Sequence, residues 1–290
     1  MPEPAEPPST GARGRAGKSG SAGPGATGRN GGPPPITPIE AVLFDFHGTL
    51  AQVEDAVIWV RAAAADCGTV LDIGSATVLA DRLVTAGRAG GPLPARIPLH
   101  LIELWAERDL YEHAHRAAFT GLAATVDSPI DGLAEALYER MLSPGAWVPY
   151  PDAAPTLAAL KSGGTRFAVV SNIGFDIRPV LVRHGLDEFV DAYVLSYEIG
   201  RCKPDPAIFE YACAKLHVEA RQSLMVGDTP ADAAATAIGC AAYVVAAAGP
   251  GEANGLGAVH ALVAWTAARA GVPVAADSAS PYEEPTASDA

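Results

Sequence analysis

Short apolar runs that end in a polar residue or glycine recur along the chain and predict the strands of a buried sheet. Each run is mostly apolar rather than alternating, which is typical of strands covered on both faces. The predicted strands are Ala41 to Phe46, Phe167 to Asn172, Ser223 to Val226 and Ala241 to Ala246, with a fifth at Ala192 to Ser196.

Helical patterns separate these strands. Asp176 and Asp205 are interpreted as helix N-caps, because aspartate accepts hydrogen bonds from the free amides of a first turn. The predicted helices are Asp152 to Ser162, Asp176 to Gly185, Asp205 to Leu216 and Pro230 to Gly239. The alternation of strand and helix indicates an α/β fold built on a doubly wound parallel sheet.

The segment from Val53 to Trp147 breaks this alternation, since it contains no convincing strand pattern and is rich in Ala, Leu, Arg and Glu. We therefore predict a small all-helical domain here. Within it, Leu99 to Leu122 is predicted to be one long amphipathic helix, and the glycines and prolines of Gly87 to Pro98 predict a loop. The predicted apolar stripe of the long helix consists of Leu101, Ile102, Trp105, Ala117 and Ala118.

Both ends of the chain are predicted to be disordered. Residues 1–36 contain eight prolines, nine glycines and three serines. Such a segment cannot bury enough apolar surface to offset the entropy lost on ordering. Residues 273–290 are polar, with four acidic residues and no basic one. The α/β domain is then formed by residues 37–52 and 148–272, and the helical domain by residues 53–147.

Charge and cysteine usage narrow the possible partners and compartments. A formal net charge of -13 should repel the phosphate backbone of nucleic acids. We expect no membrane partner, because no apolar run approaches the ~20 residues that span a bilayer. The four cysteines have no metal-ligand spacing, which favours a reducing compartment, by default the cytoplasm. They are Cys67, Cys202, Cys213 and Cys240.

Polar side chains follow the predicted strands at the edge where parallel sheets place their chemistry. Asp45 and His47 follow the first strand, and Asp228 follows Ser223 to Val226. Lys203 comes from the connecting loop GRCKPDP. Carboxylates beside a lysine form a site for an oxyanion bound together with a hard cation.

Mg²⁺ suits such a site, because it prefers oxygen ligands and needs only one or two carboxylates besides water and substrate oxygens. Asp45 and Asp228 can supply those carboxylates. Asp232 lies four residues after Asp228, about one helical turn on, where it can reach the cation or orient its waters. A carboxylate next to Mg²⁺ and a lysine can attack phosphorus and form an aspartyl-phosphate that water then hydrolyses.

Four short motifs occur in order along the chain, each at a predicted strand end or its loop: FDFHGTL, VVSN, KPDP and GDTPAD. With these motifs the sequence resembles the haloacid dehalogenase superfamily of phosphatases and related hydrolases, over about Glu40 to Gly249. The resemblance implies a Rossmann-like core. It also implies that the predicted helical domain is a cap, which closes over the site and selects the substrate, here expected to be a small phosphorylated metabolite.

The resemblance also implies roles for individual residues. Asp45 is the expected nucleophile, and Lys203 is expected to steady both nucleophile and phosphate. Ser171 is expected to hold a phosphoryl oxygen, with Thr49 and the backbone amide of Asn172 as supporting donors. The implied Mg²⁺ ligands are Asp45, the backbone carbonyl of His47, Asp228 and Asp232.

His47 departs from the family pattern, because phosphatases of this family carry a second aspartate two residues after the nucleophile. That aspartate protonates the leaving oxygen and later activates water, and such acid-base help is typically worth about 10² to 10⁴ in rate. Nearby carboxylates are expected to keep His47 protonated, so that it serves as the acid directly. A second interpretation is a phosphate-binding or interaction protein without catalytic activity.

A third interpretation is different chemistry on the same scaffold. Hydrolytic dehalogenases also lack the second aspartate, since a halide leaves without a proton, but they have no use for the GDTPAD motif. Phosphonate hydrolases need a cap lysine, and Val53 to Trp147 contains none. Glu54 and Asp55 are predicted to form a solvated hinge, with gating of the site as the alternative. Substrate contact is considered for Arg108, Arg116, Trp59 and Trp105, with core packing favoured for the two tryptophans. The sequence gives no oligomeric state.

Overall fold

The computed structural model describes residues 36–246, 248–249 and 251–272. Five strands pair in parallel in the order β5-β4-β1-β6-β7, which confirms the predicted parallel sheet. Each of the five predicted runs forms a strand, with its ends shifted by at most two residues. The strands are β1 (Ala41–Phe44), β2 (Ala51–Val53), β3 (Trp147–Pro149), β4 (Arg166–Ser171), β5 (Ala192–Leu195), β6 (Ser223–Gly227) and β7 (Ala241–Val244).

Helices separate the strands as predicted. Asp205 caps the helix Pro206–Leu216 as expected, because its side chain accepts a hydrogen bond from the amide of Ala207 at 3.0 Å. The predicted helix Pro230 to Gly239 is one α-helical turn followed by a 3₁₀ helix over Ala234–Ile238. The α-helices are α1 (Ala56–Asp66), α2 (Ile73–Ala86), α3 (Ile102–Glu107), α4 (Glu112–Ala123), α5 (Leu133–Leu142), α6 (Ala153–Ser162), α7 (Arg178–Arg183), α8 (Ser196–Ile199), α9 (Pro206–Leu216), α10 (Pro230–Ala233) and α11 (Gly257–Arg269).

Both faces of the parallel sheet are covered at its central strands, whereas the edge strand β7 is largely exposed, contrary to the prediction of a buried strand there. Val42 and Phe44 of β1 join a core cluster that includes residues of α6, α7 and α11. Ala41 and Leu43, the alternate residues of the same strand, join a second cluster that includes residues of α9. Because successive side chains of a strand point to opposite faces, this division shows a sheet with helices on each side.

Helices α1 to α5 form the predicted helical insertion, residues 53–147, which has a hydrophobic cluster of its own around Trp59, Leu83 and Leu137. An antiparallel ribbon of β2 and β3 joins it to the parallel sheet, with Val53 paired to Trp147. The prediction of a segment without strands was therefore wrong at its two ends. Strands of three residues are too short to give a periodic signal.

The prediction of one helix from Leu99 to Leu122 was also wrong. A 3₁₀ helix (Leu99–Leu101) leads into α3, residues 108–110 form a turn, and the backbone of Tyr111 is extended before α4 begins. At this break the carbonyl oxygen of Asp109 accepts a hydrogen bond from Ser196 Oγ at 2.5 Å, across to the parallel-sheet part of the molecule. The carbonyl oxygen of Asp109 thus bonds to a residue 87 positions away in the chain.

Glu54 contradicts the prediction of a solvated hinge. It is buried, and its two carboxylate oxygens accept hydrogen bonds of 2.6 and 2.5 Å from Nε and Nη2 of Arg140. Asp55 caps α1 instead, accepting a bond from the amide of Val57 at 2.8 Å. The charge of Glu54 is buried because an arginine from α5, far along the chain, neutralises it.

The predicted disordered tails lie outside the described residues, apart from Ile36. Within the described part of the chain, every helix is too short or too polar to cross a membrane. The cysteines include one close pair that their spacing does not suggest, since the sulfur atoms of Cys213 and Cys240 lie 4.0 Å apart as free thiols.

Candidate active site

Lys203 lies between two carboxylates at the carboxyl edge of the parallel sheet. Its Nζ donates hydrogen bonds to Asp45 Oδ1 at 2.8 Å, to Asp232 Oδ1 at 2.5 Å and to the carbonyl oxygen of Val170 at 2.9 Å. All three charged side chains are buried. Burial by itself would lower the pKa of Lys203, but Asp45 and Asp232 together outweigh it and raise that pKa. The lysine is therefore a fixed positive charge beside Asp45.

Asn172 fixes the backbone of Lys203 with two hydrogen bonds. Its Nδ2 donates to the Lys203 carbonyl oxygen at 2.8 Å, and its Oδ1 accepts from the Lys203 amide at 2.7 Å. The sequence predicts a role for the Asn172 backbone amide only. The structure shows that the side chain, at the end of β4, also positions the lysine.

Asp228 completes a group of three carboxylates whose ligand atoms, together with those of Asp45 and Asp232, lie within 4.8 Å of one another. Burial raises the pKa of Asp228 to about 6, and the charges of Asp45 and Asp232 add to this effect. Its Oδ1 is buried without a hydrogen-bond partner among the described residues. Crowded carboxylates with an unpartnered oxygen fit a divalent cation with oxygen ligands.

Gly48 allows the backbone after β1 to pass close to the carboxylate of Asp228. A Cβ at this position would lie 2.2 Å from Asp228 Oδ2, and its φ of +81° is one that only glycine adopts readily. Asp232 also accepts bonds from the amide and hydroxyl of Thr229 at 3.0 and 2.6 Å. Both of these bonds go to Oδ2, whereas Oδ1 accepts only from Lys203 and keeps one lone pair for a cation or its water.

Thr49 and Ser171 are both buried: Thr49 lies five residues after β1, and Ser171 is the last residue of the neighbouring strand β4. Thr49 Oγ1 has no hydrogen-bond partner among the described residues, which is the state expected of a donor that awaits a ligand. The Thr49 carbonyl oxygen accepts a bond from Asn254 Nδ2 at 2.8 Å, and this supporting residue was missed in the sequence. An asparagine 205 positions away gives no pattern that identifies it.

His47 lies where the sheet edge meets the helical insertion. Its ring is edge-on to Trp147, with centroids 5.8 Å apart, and a Cβ on Gly90 would come within 3.0 Å of its Nε2. Burial lowers the pKa of His47 and a smaller effect of Arg88 does the same, whereas Asp45 and the backbone of Gly90 oppose them. The expectation that nearby carboxylates keep His47 protonated was therefore wrong, because desolvation outweighs them.

A cavity of about 190 Å³ lies between the sheet edge and the helical insertion. His47 and Asn172 line it from the sheet side, and Trp105 and Arg108 line it from the insertion. Asp45 is not among its lining residues. Arg88, in the loop after α2, also lines the cavity and was missed, because an arginine in a glycine-rich loop has no distinctive sequence signal.

Two other residues that were considered for substrate contact lie elsewhere. Arg116 is exposed and pairs with Glu135 and Glu139 at 3.2 and 2.7 Å. Trp59 belongs to the core of the helical insertion and donates from Nε1 to the Leu137 carbonyl oxygen at 2.9 Å. A larger groove of about 840 Å³, along α2 and the start of the Leu99–Leu101 turn, contains none of the predicted site residues.

Comparison with known proteins gives a family match and several relatives. A family model described as a haloacid dehalogenase-like hydrolase matches residues 39–237. A phosphoglycolate phosphatase from Nitrosospira multiformis is 28% identical over 214 residues, covering 72% of this chain and 83% of that protein. A plasmid-encoded phosphoglycolate phosphatase from Cupriavidus necator is 38% identical over 113 residues, which cover 38% of this chain but only 49% of the relative.

Among solved structures, the L-2-haloacid dehalogenase from Xanthobacter autotrophicus matches with a TM-score of 0.52 and 19% identity. The match covers 78% of this chain and 98% of that one. At this level of identity the likeness shows a shared fold, a parallel sheet with flanking helices.

Proposed function

Since this chain belongs to the haloacid dehalogenase-like hydrolases, we propose that it is a Mg²⁺-dependent phosphatase acting on a small phosphorylated metabolite. The observation that carries the proposal is the contact of Lys203 Nζ with Asp45 Oδ1, 2.8 Å apart and next to two further carboxylates. This arrangement brings together a nucleophilic carboxylate, the ammonium group of Lys203 and a group of carboxylates that can bind a metal ion. Relatives that are named phosphoglycolate phosphatases support the choice of a phosphate ester.

Asp45 is the proposed nucleophile. One of its carboxylate oxygens attacks phosphorus, the bond from phosphorus to the leaving oxygen breaks, and an aspartyl-phosphate remains on the protein. Lys203 offsets the charge on the transferring phosphoryl oxygens, held in place by Asn172. Ser171 and Thr49, together with the amide of Asn172, donate to those oxygens. Water then attacks phosphorus and restores the carboxylate.

His47 takes the place of the usual acid and base. As imidazolium it gives a proton to the leaving oxygen, and as imidazole it accepts one from the attacking water, so the cycle returns it to its first state. Because burial favours the neutral ring, only part of the population starts each cycle in the acid form. We therefore propose a slower enzyme than one with aspartate at this position.

Asp45, Asp228, Asp232 and the backbone carbonyl of His47 are the proposed Mg²⁺ ligands. When bound, the cation supplies charge neutralisation for the phosphoryl oxygens. Asp228 contributes an oxygen that has no hydrogen-bond partner among the described residues. We further propose that residues 53–147 act as a cap domain and that the protein works in the cytoplasm, whose reducing conditions suit the thiols of Cys213 and Cys240.

A phosphate-release screen over small phosphomonoesters, with and without Mg²⁺, tests this proposal on the natural chain, Asp45→Asn and His47→Asp. Turnover that needs Mg²⁺ and disappears in Asp45→Asn supports a phosphatase. Turnover in His47→Asp alone would make the natural protein a phosphate-binding protein without catalysis. Halide release from 2-haloacids without metal would instead support a dehalogenase.

A further inference from the structure

Arg88 is a buried cation in the wall of the cavity that faces His47. It is 7% exposed, its guanidinium lies 4.4 Å from the ring centroid of Trp59, and it lines the cavity from the helical insertion. Burial lowers its pKa to about 10, which leaves the side chain protonated near neutral pH. A buried charge is costly unless a partner compensates it.

Two other arginines of the helical insertion, of which Arg108 lines the cavity, already have anionic partners. Arg108 pairs with Asp109 at 3.0 Å and stacks on Trp105, while Arg140 occupies both carboxylate oxygens of Glu54. Arg88 forms no ion pair with a carboxylate of the described residues, and its Nε is buried there without a hydrogen-bond partner. The charges of Glu54 and Asp55 act on Arg88 from a greater distance. The insertion side of the cavity therefore carries a guanidinium group without a direct carboxylate partner among the described residues.

The loop that carries Arg88 is held in place on both sides. The amide of Gly91 donates to the Arg88 carbonyl oxygen at 2.9 Å, and Gly90 lies against the ring of His47. Only Ala89 therefore separates Arg88 from the point where the loop touches the sheet edge. This short, closed turn presents Arg88 to whatever occupies the cavity in front of His47.

We propose that Arg88 recognises a carboxylate on the substrate, at the end opposite the phosphoryl group. The preferred substrates are then small phosphomonoesters of hydroxy acids, and this inference rests on the proposed function. A single unpaired cation matches a single negative charge. A second phosphate group would instead bring about two negative charges to this one guanidinium group. The cavity of about 190 Å³ is also small, below the ~300 Å³ at which sites for drug-sized ligands begin.

The experiment compares 2-phosphoglycolate with ethyl phosphate, which has a similar size but no carboxylate. With Mg²⁺ present, kcat and KM are measured for the natural chain, Arg88→Met, Arg88→Lys and the control Arg116→Met. A charged hydrogen bond lost on substitution corresponds to about 10- to 100-fold. The ratio of kcat/KM for the two substrates should fall by that factor in Arg88→Met, chiefly through KM for phosphoglycolate.

Arg88→Lys keeps the charge and should retain part of the preference, which separates recognition from a folding defect. Arg116→Met removes an exposed arginine and should leave the ratio as it is in the natural chain. An unchanged ratio in Arg88→Met, or a natural chain that does not prefer phosphoglycolate, would overturn the inference.

A binding measurement separates this inference from the proposed function. Isothermal titration of the Asp45→Asn chain with each ester, with and without Arg88→Met, needs no turnover. Preferential binding of phosphoglycolate that is lost in Arg88→Met supports carboxylate recognition even if the natural chain releases no phosphate. Equal binding of both esters overturns it even if phosphate release is observed.

Discussion

Lys203 Nζ lies 2.8 Å from Asp45 Oδ1, although the two residues are 158 positions apart in the chain. The same ammonium group also donates to Asp232, so that it holds two carboxylates from different strand ends. Because all three side chains are buried, the same ion pairs contribute both to the free energy of unfolding and to the proposed chemistry of the site. Its removal should therefore change both.

Lys203→Met is expected to lower the free energy of unfolding by about 3–5 kcal/mol, because two buried carboxylates lose their cation. Phosphate release should also disappear. Denaturant unfolding in EDTA measures the first effect without compensation by a bound metal. The matched control is Lys161→Met, since Lys161 pairs with Asp191 at 2.6 Å but both side chains are more than a third exposed. That variant should lose less than about 1 kcal/mol, and equal losses in the two variants would contradict the burial argument.

Asp228→Asn is expected to abolish stabilisation by Mg²⁺. Because a ligand that binds only the folded state raises its stability, the thermal midpoint of the natural chain should rise with Mg²⁺ concentration. The variant should show no such rise, since it lacks the charge on the carboxylate whose Oδ1 has no hydrogen-bond partner among the described residues. Asp176→Asn, at an exposed ion pair with Arg178, is the control and should respond as the natural chain does. A midpoint that rises equally in all three proteins would place the cation elsewhere.

The sequence predicted the sheet and the charged centre of the candidate site because both have local signals. Apolar runs that end in Asp45 or near Asp228 identify strand ends, and Lys203 lies in a short motif. Topology then brings these three residues together, since parallel strands end at one edge.

Interactions between distant residues were not predictable in this way. The bonds from Asn172 to the backbone of Lys203 and the pair of Glu54 with Arg140 leave no periodic trace, because a charged or amide side chain looks the same in sequence whether buried or exposed. At the break between α3 and α4, the carbonyl oxygen of Asp109 bonds to Ser196, far along the chain. The protonation state of His47 was mispredicted for a related reason, since desolvation depends on packing that only the fold defines.

Arg140→Met is expected to destabilise the protein through Glu54, whose carboxylate would stay buried without its cation. Breaking a buried pair costs about 3–5 kcal/mol, and we expect the lower end because Arg140 is itself a quarter exposed. Urea unfolding measures the change. Arg116→Met, which removes an exposed arginine, should cost less than about 1 kcal/mol. The double variant Arg140→Met with Glu54→Leu should recover part of the loss, and an additive further loss would show that the pair is not the cause.

Gly174→Ala tests whether close contact between the helical insertion and the sheet edge is needed at the candidate site. A Cβ on Gly174 would lie 2.2 Å from the carbonyl oxygen of Arg108 and 2.6 Å from Cβ of His115, so the α3 to α4 segment must move away. Arg108 and His115 both line the cavity, and a displacement of about 1 Å can cost about 10²-fold in rate. We expect kcat/KM for phosphate release to fall by 10- to 100-fold on this ground.

The control for this substitution is Gly145→Ala, because a Cβ there meets no atom within 4 Å and the backbone is not left-handed. It should leave both kcat/KM and the unfolding midpoint as they are. Overpacking at Gly174 should in addition cost about 1–3 kcal/mol in stability, measured by thermal unfolding. If Gly174→Ala keeps full activity while losing stability, the helical insertion can move away from the sheet edge without lowering the rate of phosphate release. The cavity between Arg108 and His47 would then not be where the substrate is held.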